Sequence, residues 1–318
     1  MNIYRIDHIC QVVPDLNHQL KLLEGLFGFR KSQEWEKPDE GSRGVLLEVP
    51  GSWGHRWEVQ EPLGKQSPLQ EFLDSPAGPG IHHLAVEVTD LDVALKRVSE
   101  LGIHAGRLST GPSKRFVDVP FVPPERESGL LWRLFGPSSA GICCSGGSAV
   151  PAKATAPSEP TLGIVAIEQV GHACENRDEL AQWCEKAAGM QEVYRTPEGK
   201  HPDIKTLVLT IPGTQMRWEL IQPVDEESFV HRFLKNRGHQ AHHVTFEVAD
   251  WDKALAACEH HGIPTFGAND GVTDGGRWAD TFIHPKHAGG FLVQFFWEEL
   301  PGVWSRSDKI AWKAKQTA

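Results

Sequence analysis

The chain has 318 residues, 40% hydrophobic and 23% charged, a composition typical of a globular protein with room for two domains. A net charge of −10 without a basic stripe argues against nucleic acid, and no apolar run is long enough to span a bilayer. The chain shows no signal peptide, and its six cysteines form no CxxC pair, so we expect a cytoplasmic protein with buried free thiols.

The first half predicts the same succession of elements twice. Hydrophobic alternation and turn residues predict a strand at Arg5–Val13, a helix at Asp15–Leu26, and strands near Phe29–Glu34, Gly44–Val49 and Arg56–Gln60. After a bridging segment with a short helix at Leu69–Leu73 come a strand at Gly80–Val88, a helix at Leu91–Leu101, and strands near Ile103–Arg107, Phe116–Phe121 and Leu130–Phe135. Each succession is a βαβββ unit.

The second half repeats the first at a nearly constant offset. Ile6-Asp7-His8-Ile9 matches Ile167-Glu168-Gln169-Val170, and Arg56-Trp57-Glu58 matches Arg217-Trp218-Glu219, each 161 residues further on. Gly80-Ile81-His82-His83 returns as Gln240-Ala241-His242-His243 at an offset of 160. The sequence therefore predicts four βαβββ units in two domains, 1–137 and 163–299, with a linker at 138–162 and a tail at 300–318.

The motifs resemble one superfamily closely. Ile6-Asp7-His8-Ile9, Glu61-Pro62-Leu63-Gly64, Gly80-Ile81-His82-His83 and Phe282-Ile283-His284-Pro285-Lys286 are similar to segments of the vicinal oxygen chelate superfamily, with the closest local likeness to methylmalonyl-CoA epimerase. The resemblance covers both halves and implies an α+β fold in which the four βαβββ modules pair into two glyoxalase-like half-barrel domains. It also implies a divalent metal, held by residues on the first and last strand of each module.

Carrying the family positions over to the first half gives His8, Glu58 and His83 as metal ligands. The fourth position falls on Arg133, which cannot bind a metal. Two imidazoles and one carboxylate leave coordination positions open for substrate oxygens or O2, and they suit Fe, Mn, Co, Ni or Zn equally. The competing interpretation is a metal-free cleft in which Glu58 forms a buried ion pair with Arg133.

The second half offers a poorer set of ligands. Its four equivalent positions are Gln169, Glu219, His243 and Gln294, and the last of these is usually a carboxylate in the family. A neutral amide is a weak ligand, so we expect this second metal site to hold its ion loosely or not at all. His82 and His242 fall on the apolar side of their strands, and we predict no chemical role for either.

The family reactions differ in the groups they need. The two carboxylates implied by the epimerase resemblance fall on Val45 and Arg133, and no tyrosine stands near the last strand as it does in extradiol dioxygenases. We therefore expect a metal-dependent lyase, isomerase or epimerase that stabilises an enolate or alkoxide of a small oxygenated substrate. The alternatives are an iron-dependent extradiol-type dioxygenase and a non-catalytic, ligand-sequestering protein of the bleomycin-resistance type.

The expected partner is a small molecule, and the chain would act as a monomer or a homodimer. Arg133, together with Lys114 and Arg115 on a predicted loop, could pair with an anionic group of the substrate. The proton-transfer residue is not identified by the sequence, because His8 and Glu58 already serve as ligands.

Overall fold

The computed structural model describes residues 1–52, 54–106, 109–111, 114–121, 129–137, 148–149, 159–199 and 201–306. Most of the predicted linker and the end of the predicted tail lie outside these residues. The side chains of Lys114 and Arg115 also lie outside the described part, although their backbone belongs to a strand. Within the described residues, no helix is long and apolar enough to cross a membrane.

The first half contains nine strands and three helices among its described residues. The strands are β1 Ile3–Val12, β2 Arg30–Lys37, β3 Ser42–Glu48, β4 Arg56–Pro62, β5 Gly80–Val88, β6 Ser109–Gly111, β7 Lys114–Pro120, β8 Leu131–Phe135 and β9 Ser148–Ala149. The helices are α1 Leu16–Gly25, α2 Pro68–Asp74 and α3 Leu91–Glu100.

The second half repeats this order. Its strands are β10 Ile164–Ala173, β11 Glu192–Arg195, β12 Ile204–Thr210, β13 Arg217–Pro223, β14 Ala241–Val248, β15 Thr265–Thr273, β16 Gly276–Ile283 and β17 Leu292–Glu298. Its helices are α4 Arg177–Ala188, α5 Phe229–Arg237, α6 Trp251–His260 and α7 Pro285–Ala288.

Strand order confirms the four modules. The first sheet runs β6-β7-β8-β5-β1-β4-β3-β2-β9, and the second runs β11-β12-β13-β10-β14-β17-β16-β15. In each module the first strand pairs in parallel with the last, as β1 does with β4 and β10 with β13. The first strands of two modules, β1 with β5 and β10 with β14, then join them antiparallel into one mixed sheet.

Local signals explain the crossover helices. The Asp15 carboxylate caps α1 by accepting from the His18 amide, and Asp90 caps α3 in the same way from Val93. Gly102 follows α3 with φ near +73°, a left-handed conformation that a glycine adopts without steric cost. The predicted helix ends therefore agree with the structure to within one or two residues.

Two predictions about the second module were wrong. The described part of the predicted strand Ile103–Arg107 is irregular, and the short strand β6 begins later, at Ser109. The Gly106 amide still donates to the Asp118 carbonyl, at 2.8 Å, but this single bond does not make a ladder. Lys114 and Arg115 were predicted in a loop, whereas their backbone belongs to β7 and pairs with β6.

The two halves share a single hydrophobic core. One cluster of buried apolar side chains draws on both sheets, with the Trp57 and Phe291 rings 5.1 Å apart and the Trp132 and Trp218 rings 5.5 Å apart. Each of these tryptophans is 0% exposed. Burial of such a ring stabilises the fold by roughly 2–3 kcal/mol, so the halves stabilise one another.

Gln11 joins the halves through buried hydrogen bonds. Its amide nitrogen donates to the carbonyls of Ala288 and Gly289, both at 3.0 Å, and its oxygen accepts from Trp57 Nε1 at 3.1 Å. Gln19 donates to the same oxygen, also at 3.1 Å. Gly289 is required here, because a Cβ would lie 2.3 Å from the Gln19 side chain.

His172 stands at the position equivalent to Gln11 in the second half. It is 0% exposed, and neither ring nitrogen has a well-formed hydrogen bond among the described residues. Burial lowers the pKa of His172 to about 3, assisted by the charge of His239 and weakly opposed by a hydrogen bond to the His239 backbone. The ring is therefore neutral in the native state.

We expect His172 to make stability depend on pH. Its native pKa lies below its ordinary value, so the unfolded chain takes up the proton first, and the free energy of unfolding falls as the pH drops from about 6.5 towards about 3. When the pH is lowered from about 7 to about 5, the free energy of unfolding of the wild type should fall by about 2 kcal/mol more than that of His172→Leu. Urea unfolding at several pH values measures the difference. The exposed His18→Leu serves as control, and parallel profiles for His172→Leu and the wild type would refute the effect.

Candidate functional site

The register of the first sheet brings the predicted ligands together. Cys10 on β1 lies directly opposite Glu58 on β4 and directly opposite His83 on β5. His8, two residues earlier on β1, projects from the same side. Ile9, Trp57 and Leu84 point to the opposite side, into the core, which confirms the predicted alternation of these strands.

The ligand atoms of His8, Glu58 and His83 all lie within 4.8 Å of one another. Glu58 Oε2 is 3.3 Å from His8 Nε2 and 3.9 Å from His83 Nε2. Two ligand atoms that each bind an ion at about 2.1 Å stand roughly 3.0–3.5 Å apart. The observed distances are close to this range, so small side-chain adjustments are enough for the three residues to bind an ion. The three side chains are 0–1% exposed.

Asp7 holds His8 in the orientation that a metal ligand needs. Its Oδ2 accepts from His8 Nδ1 at 2.8 Å, and Arg5 and Arg56 both pair with Oδ1. Burial would raise the pKa of Asp7, but the hydrogen bond and charge of His8 and the charges of the two arginines hold it well below its usual range. With Nδ1 donating to a carboxylate, Nε2 points at Glu58, and once Nε2 carries no proton its lone pair can bind a cation there.

Glu58 and His83 are in the protonation states that bind a cation. Burial would raise the pKa of Glu58, but the charge and hydrogen bond of His8, the charge of Arg133 and a hydrogen bond from the Cys10 thiol lower it to about 2. Burial, with the nearby charges of Arg133, His82 and His8, holds the pKa of His83 well below its usual value. The carboxylate is thus ionised and the His83 imidazole neutral at physiological pH.

The chemistry of this donor set fits a divalent cation. His83 Nε2 and Glu58 Oε1 are buried without a hydrogen-bond partner among the described residues, although an unsatisfied buried polar atom costs about 1–3 kcal/mol. His83 Nδ1 faces His82 Nδ1 at 2.8 Å, which leaves Nε2 directed at Glu58. Two unsatisfied acceptor atoms beside an ionised, buried carboxylate favour a positive charge between them.

Arg133 has a partner that the sequence did not reveal. Its Nε and Nη2 donate to the two carboxylate oxygens of Asp118 at 2.7 and 2.8 Å, and its guanidinium lies over the Phe116 ring at 4.5 Å. Asp118 stands directly opposite Arg133 in the β7–β8 ladder. The interpretation of Arg133 as mainly an ion-pair partner of Glu58 therefore needs correction, because the bidentate bond goes to Asp118.

The second half also brings its four predicted ligand positions together. Glu219 Oε2 lies 3.0 Å from His243 Nε2 and accepts from Gln169 Nε2 at 3.1 Å. The Gln294 oxygen accepts from Thr245 at 3.0 Å. His243 Nε2, like His83 Nε2, is buried without a hydrogen-bond partner among the described residues, but two of the four donors here are neutral amides, which are weak metal ligands.

A cavity of about 730 Å³ opens above this second cluster. All four positions line it, together with aromatic rings that include Tyr194, Phe229, Phe233, Phe266, Phe282 and Trp304, and with Arg232, Arg237 and Arg306. The volume suits a small organic ligand, and an apolar lining with a few convergent polar groups is typical of ligand sites. The sequence favoured the first half as the site of chemistry and had no signal for this space.

The first half contains a further group that sequence reasoning passed over. Cys10 was predicted as a buried thiol outside any disulfide, and among the described residues it is 0% exposed and forms no disulfide, as is also true of the buried Cys174, Cys184 and Cys258. Its sulfur nevertheless lies within 4.8 Å of ligand atoms of His82 and His83. The available signal was its spacing, because residues 8 and 10 of a strand share one face.

Solved structures share the whole fold. The chain superposes on a variant of 4-hydroxymandelate synthase from Streptomyces coelicolor with a TM-score of 0.71, over 93% of both chains and at 16% identity. A fusion protein of a xylose isomerase-like TIM barrel and a 4-hydroxyphenylpyruvate dioxygenase aligns with a TM-score of 0.65, over 99% of this chain and 53% of the other, also at 16% identity. At this level of identity the likeness concerns the fold alone.

Curated relatives are more similar in sequence and cover less of the chain. An ethylmalonyl-CoA/methylmalonyl-CoA epimerase from Cereibacter sphaeroides is 32% identical over 136 residues, 42% of this chain and 97% of that protein. The mitochondrial methylmalonyl-CoA epimerase of Homo sapiens is 28% identical over 42% of this chain and 74% of its own length. A 4-hydroxyphenylpyruvate dioxygenase from Hordeum vulgare is 29% identical over 30% of this chain and 23% of its own.

The family model for the Glyoxalase/Bleomycin resistance protein/Dioxygenase superfamily matches the chain twice, at residues 7–115 and 168–279. These two matches cover most of both halves and coincide with the duplication found in the sequence and in the two sheets. The resemblance and the fold predicted from the motifs are thereby confirmed. The chain belongs to the Glyoxalase/Bleomycin resistance protein/Dioxygenase superfamily.

Proposed function

We propose that the chain is a metal-dependent enzyme of the redox-neutral kind, a lyase, isomerase or epimerase acting on a small oxygenated substrate. In this proposal His8, Glu58 and His83 hold one divalent metal in the domain formed by residues 1–137, and residues 163–299 form a second domain that binds metal weakly. The observation that carries it is the convergence of three buried donors, two of which have atoms without a hydrogen-bond partner among the described residues. The protein would work in the cytoplasm.

A cation bound there would polarise two adjacent oxygens of the substrate and stabilise an enolate or alkoxide. The chain's own groups prepare the site for it. Asp7 holds His8 through Nδ1 and so points Nε2 inwards, and the neutral His83 offers its Nε2 to the same point. Asp118 fixes Arg133 beside the cluster, and this places a positive charge near Glu58.

Redox-neutral chemistry and oxygenation share this donor set, so one experiment must separate them. We expect purified protein to contain about one equivalent of divalent metal per chain by elemental analysis. In D2O under nitrogen, a panel of 2-hydroxy acids, 2-oxo acids and acyl-CoA thioesters should include a compound whose α-proton exchanges in the presence of the metal-loaded protein. Exchange should stop after chelation and return when the metal is restored.

Two outcomes would contradict the proposal. Protein without metal above background, and no uptake of Zn²⁺, Mn²⁺ or Fe²⁺ on titration, would remove the metal site. Turnover of a panel compound that requires O2, with stoichiometric O2 uptake by the iron-loaded protein, would establish the dioxygenase alternative.

The cavity of the second half favours a second candidate function, the binding of a small ligand without chemistry. Its aromatic lining gives apolar contact area, and three arginines would attract an anionic group. Quenching of Trp304 fluorescence by small aromatic acids, undiminished after chelation, would support this function. Binding that disappears with the metal would instead assign the ligand to the metal-dependent activity.

A further inference from the structure

The centre of the first site is a cysteine, whereas the centre of the second is a glycine. In the first sheet Cys10 stands opposite both Glu58 and His83, and in the second sheet Gly171 stands opposite both Glu219 and His243. The two sites therefore have the same framework, with a thiol present in one and no side chain in the other.

The presence or absence of this side chain affects the position of the neighbouring histidine ring, His83 in the first half and His243 in the second. The His243 ring lies over Gly171, where an added Cβ would be 2.1 Å from His243 Cε1. A residue with a side chain cannot allow that ring position, so His83 beside Cys10 must stand further out. His83 Nε2 is 3.9 Å from Glu58, compared with 3.0 Å between His243 and Glu219. The wider gap leaves room for an ion between the donors.

The Cys10 sulfur borders this gap. It lies within 4.8 Å of a ligand atom of His83, and its thiol hydrogen-bonds to the Glu58 carboxylate. Glu58 Oε1 and His83 Nε2, both nine-tenths buried or more, have no hydrogen-bond partner among the described residues. The strand register sets Cys10 opposite both of these residues, and its sulfur lies within 4.8 Å of ligand atoms of His82 and His83, so the thiol stands beside two groups whose chemistry already points to a cation.

We propose that Cys10 is the fourth protein ligand of the metal, in place of the carboxylate that Arg133 has replaced at the family's fourth position. This inference rests on the proposed function, because it requires the ion held by His8, Glu58 and His83. On binding, the Cys10 Sγ–H bond breaks, the proton passes to solvent, and the thiolate sulfur forms a bond to the cation. No electrons are transferred.

A thiolate changes which metals the site prefers. Sulfur ligands favour Zn²⁺ and Co²⁺ over Mg²⁺ and Mn²⁺, whose usual donors are oxygens. Zn²⁺ has no redox states to offer, so a preference of this donor set for Zn²⁺ agrees with redox-neutral chemistry. Four protein donors still leave two positions on a six-coordinate ion, enough for two adjacent substrate oxygens.

The test uses Co²⁺, whose bonds to thiolate sulfur absorb strongly in the near ultraviolet. The starting protein is the full chain with Cys143→Ser and Cys144→Ser, which removes the only adjacent pair of cysteines. Titration with Co²⁺ should produce this charge-transfer band at one equivalent. Cys10→Ser should still bind Co²⁺ but without the band, and Cys258→Ser, which removes another buried thiol, should keep it.

A second measurement covers the case in which Cys10→Ser folds poorly. Competition titrations of the same starting protein should give a Zn²⁺ affinity at least 100-fold above that for Mn²⁺, and Cys10→Ala should narrow this ratio at least tenfold. Binding of Co²⁺ without a charge-transfer band would overturn the role of Cys10 while leaving the metal site intact. Failure to bind Co²⁺, Zn²⁺ or Mn²⁺ at all would overturn the proposed function itself.

Discussion

Replacement of His83 by alanine should lower the affinity for the metal by at least about 100-fold and abolish metal-dependent activity. His83 supplies one of three nitrogen or oxygen donors in a closed, buried cluster, and loss even of a residue that only supports a ligand typically costs about 10–100-fold. The Ala side chain also leaves Glu58 without the neutral imidazole that faces it at 3.9 Å. Metal titration by calorimetry measures the effect directly.

His243→Ala is the matched control, because it removes the equivalent histidine from the second half. Its neighbours are the carboxylate Glu219 and the amides Gln169 and Gln294, so we expect metal affinity to change less than threefold. Circular dichroism and urea unfolding establish that both variants fold. If His243→Ala loses the metal and His83→Ala keeps it, the metal belongs to the second half and our assignment is wrong.

Gln11→Leu should destabilise the protein by about 3 kcal/mol in urea unfolding. The change removes three buried hydrogen bonds and one partly buried one, and it leaves the indole N–H of Trp57 and the carbonyl of Ala288 buried with fewer partners. Each buried polar group left unsatisfied costs about 1–3 kcal/mol. Because the bonds to Ala288 and Gly289 join the two halves, the midpoint should fall for both halves in one transition.

His172→Leu tests the same position of the other half. Among the described residues its ring nitrogens have no well-formed hydrogen bond, so Leu should be neutral or stabilising at neutral pH, where the histidine is uncharged. If Gln11→Leu and His172→Leu lose the same stability, the volume of the side chain decides the effect at this position, and the hydrogen bonds of Gln11 contribute nothing to it. Separate transitions for the halves would show that the shared core does not couple them.

Much of the fold could be predicted because its signals are local. The strands carry strict alternation, Asp15 and Asp90 cap the first turns of α1 and α3, and the offset of 161 residues reveals the duplication. The error at Ile103–Arg107 arose where this alternation is short and flanked by glycines, so that the ladder forms later, at Ser109. Such edge segments depend on the neighbouring strand more than on their own residues.

The sequence by itself determined the duplicated βαβββ order, since the repeat depends only on spacing along the chain, and its resemblance to the vicinal oxygen chelate superfamily implied that His8, Glu58 and His83 belong to one site. Only the tertiary structure decided which groups meet across strands. It placed Cys10 between Glu58 and His83, paired Arg133 with Asp118, and opened the large cavity over the second half. These contacts join residues distant in sequence, so they depend on the register of the sheets. Side-chain volume then decides what fills the equivalent position in each half: the thiol of Cys10 in the first, and the ring of His243 over Gly171 in the second.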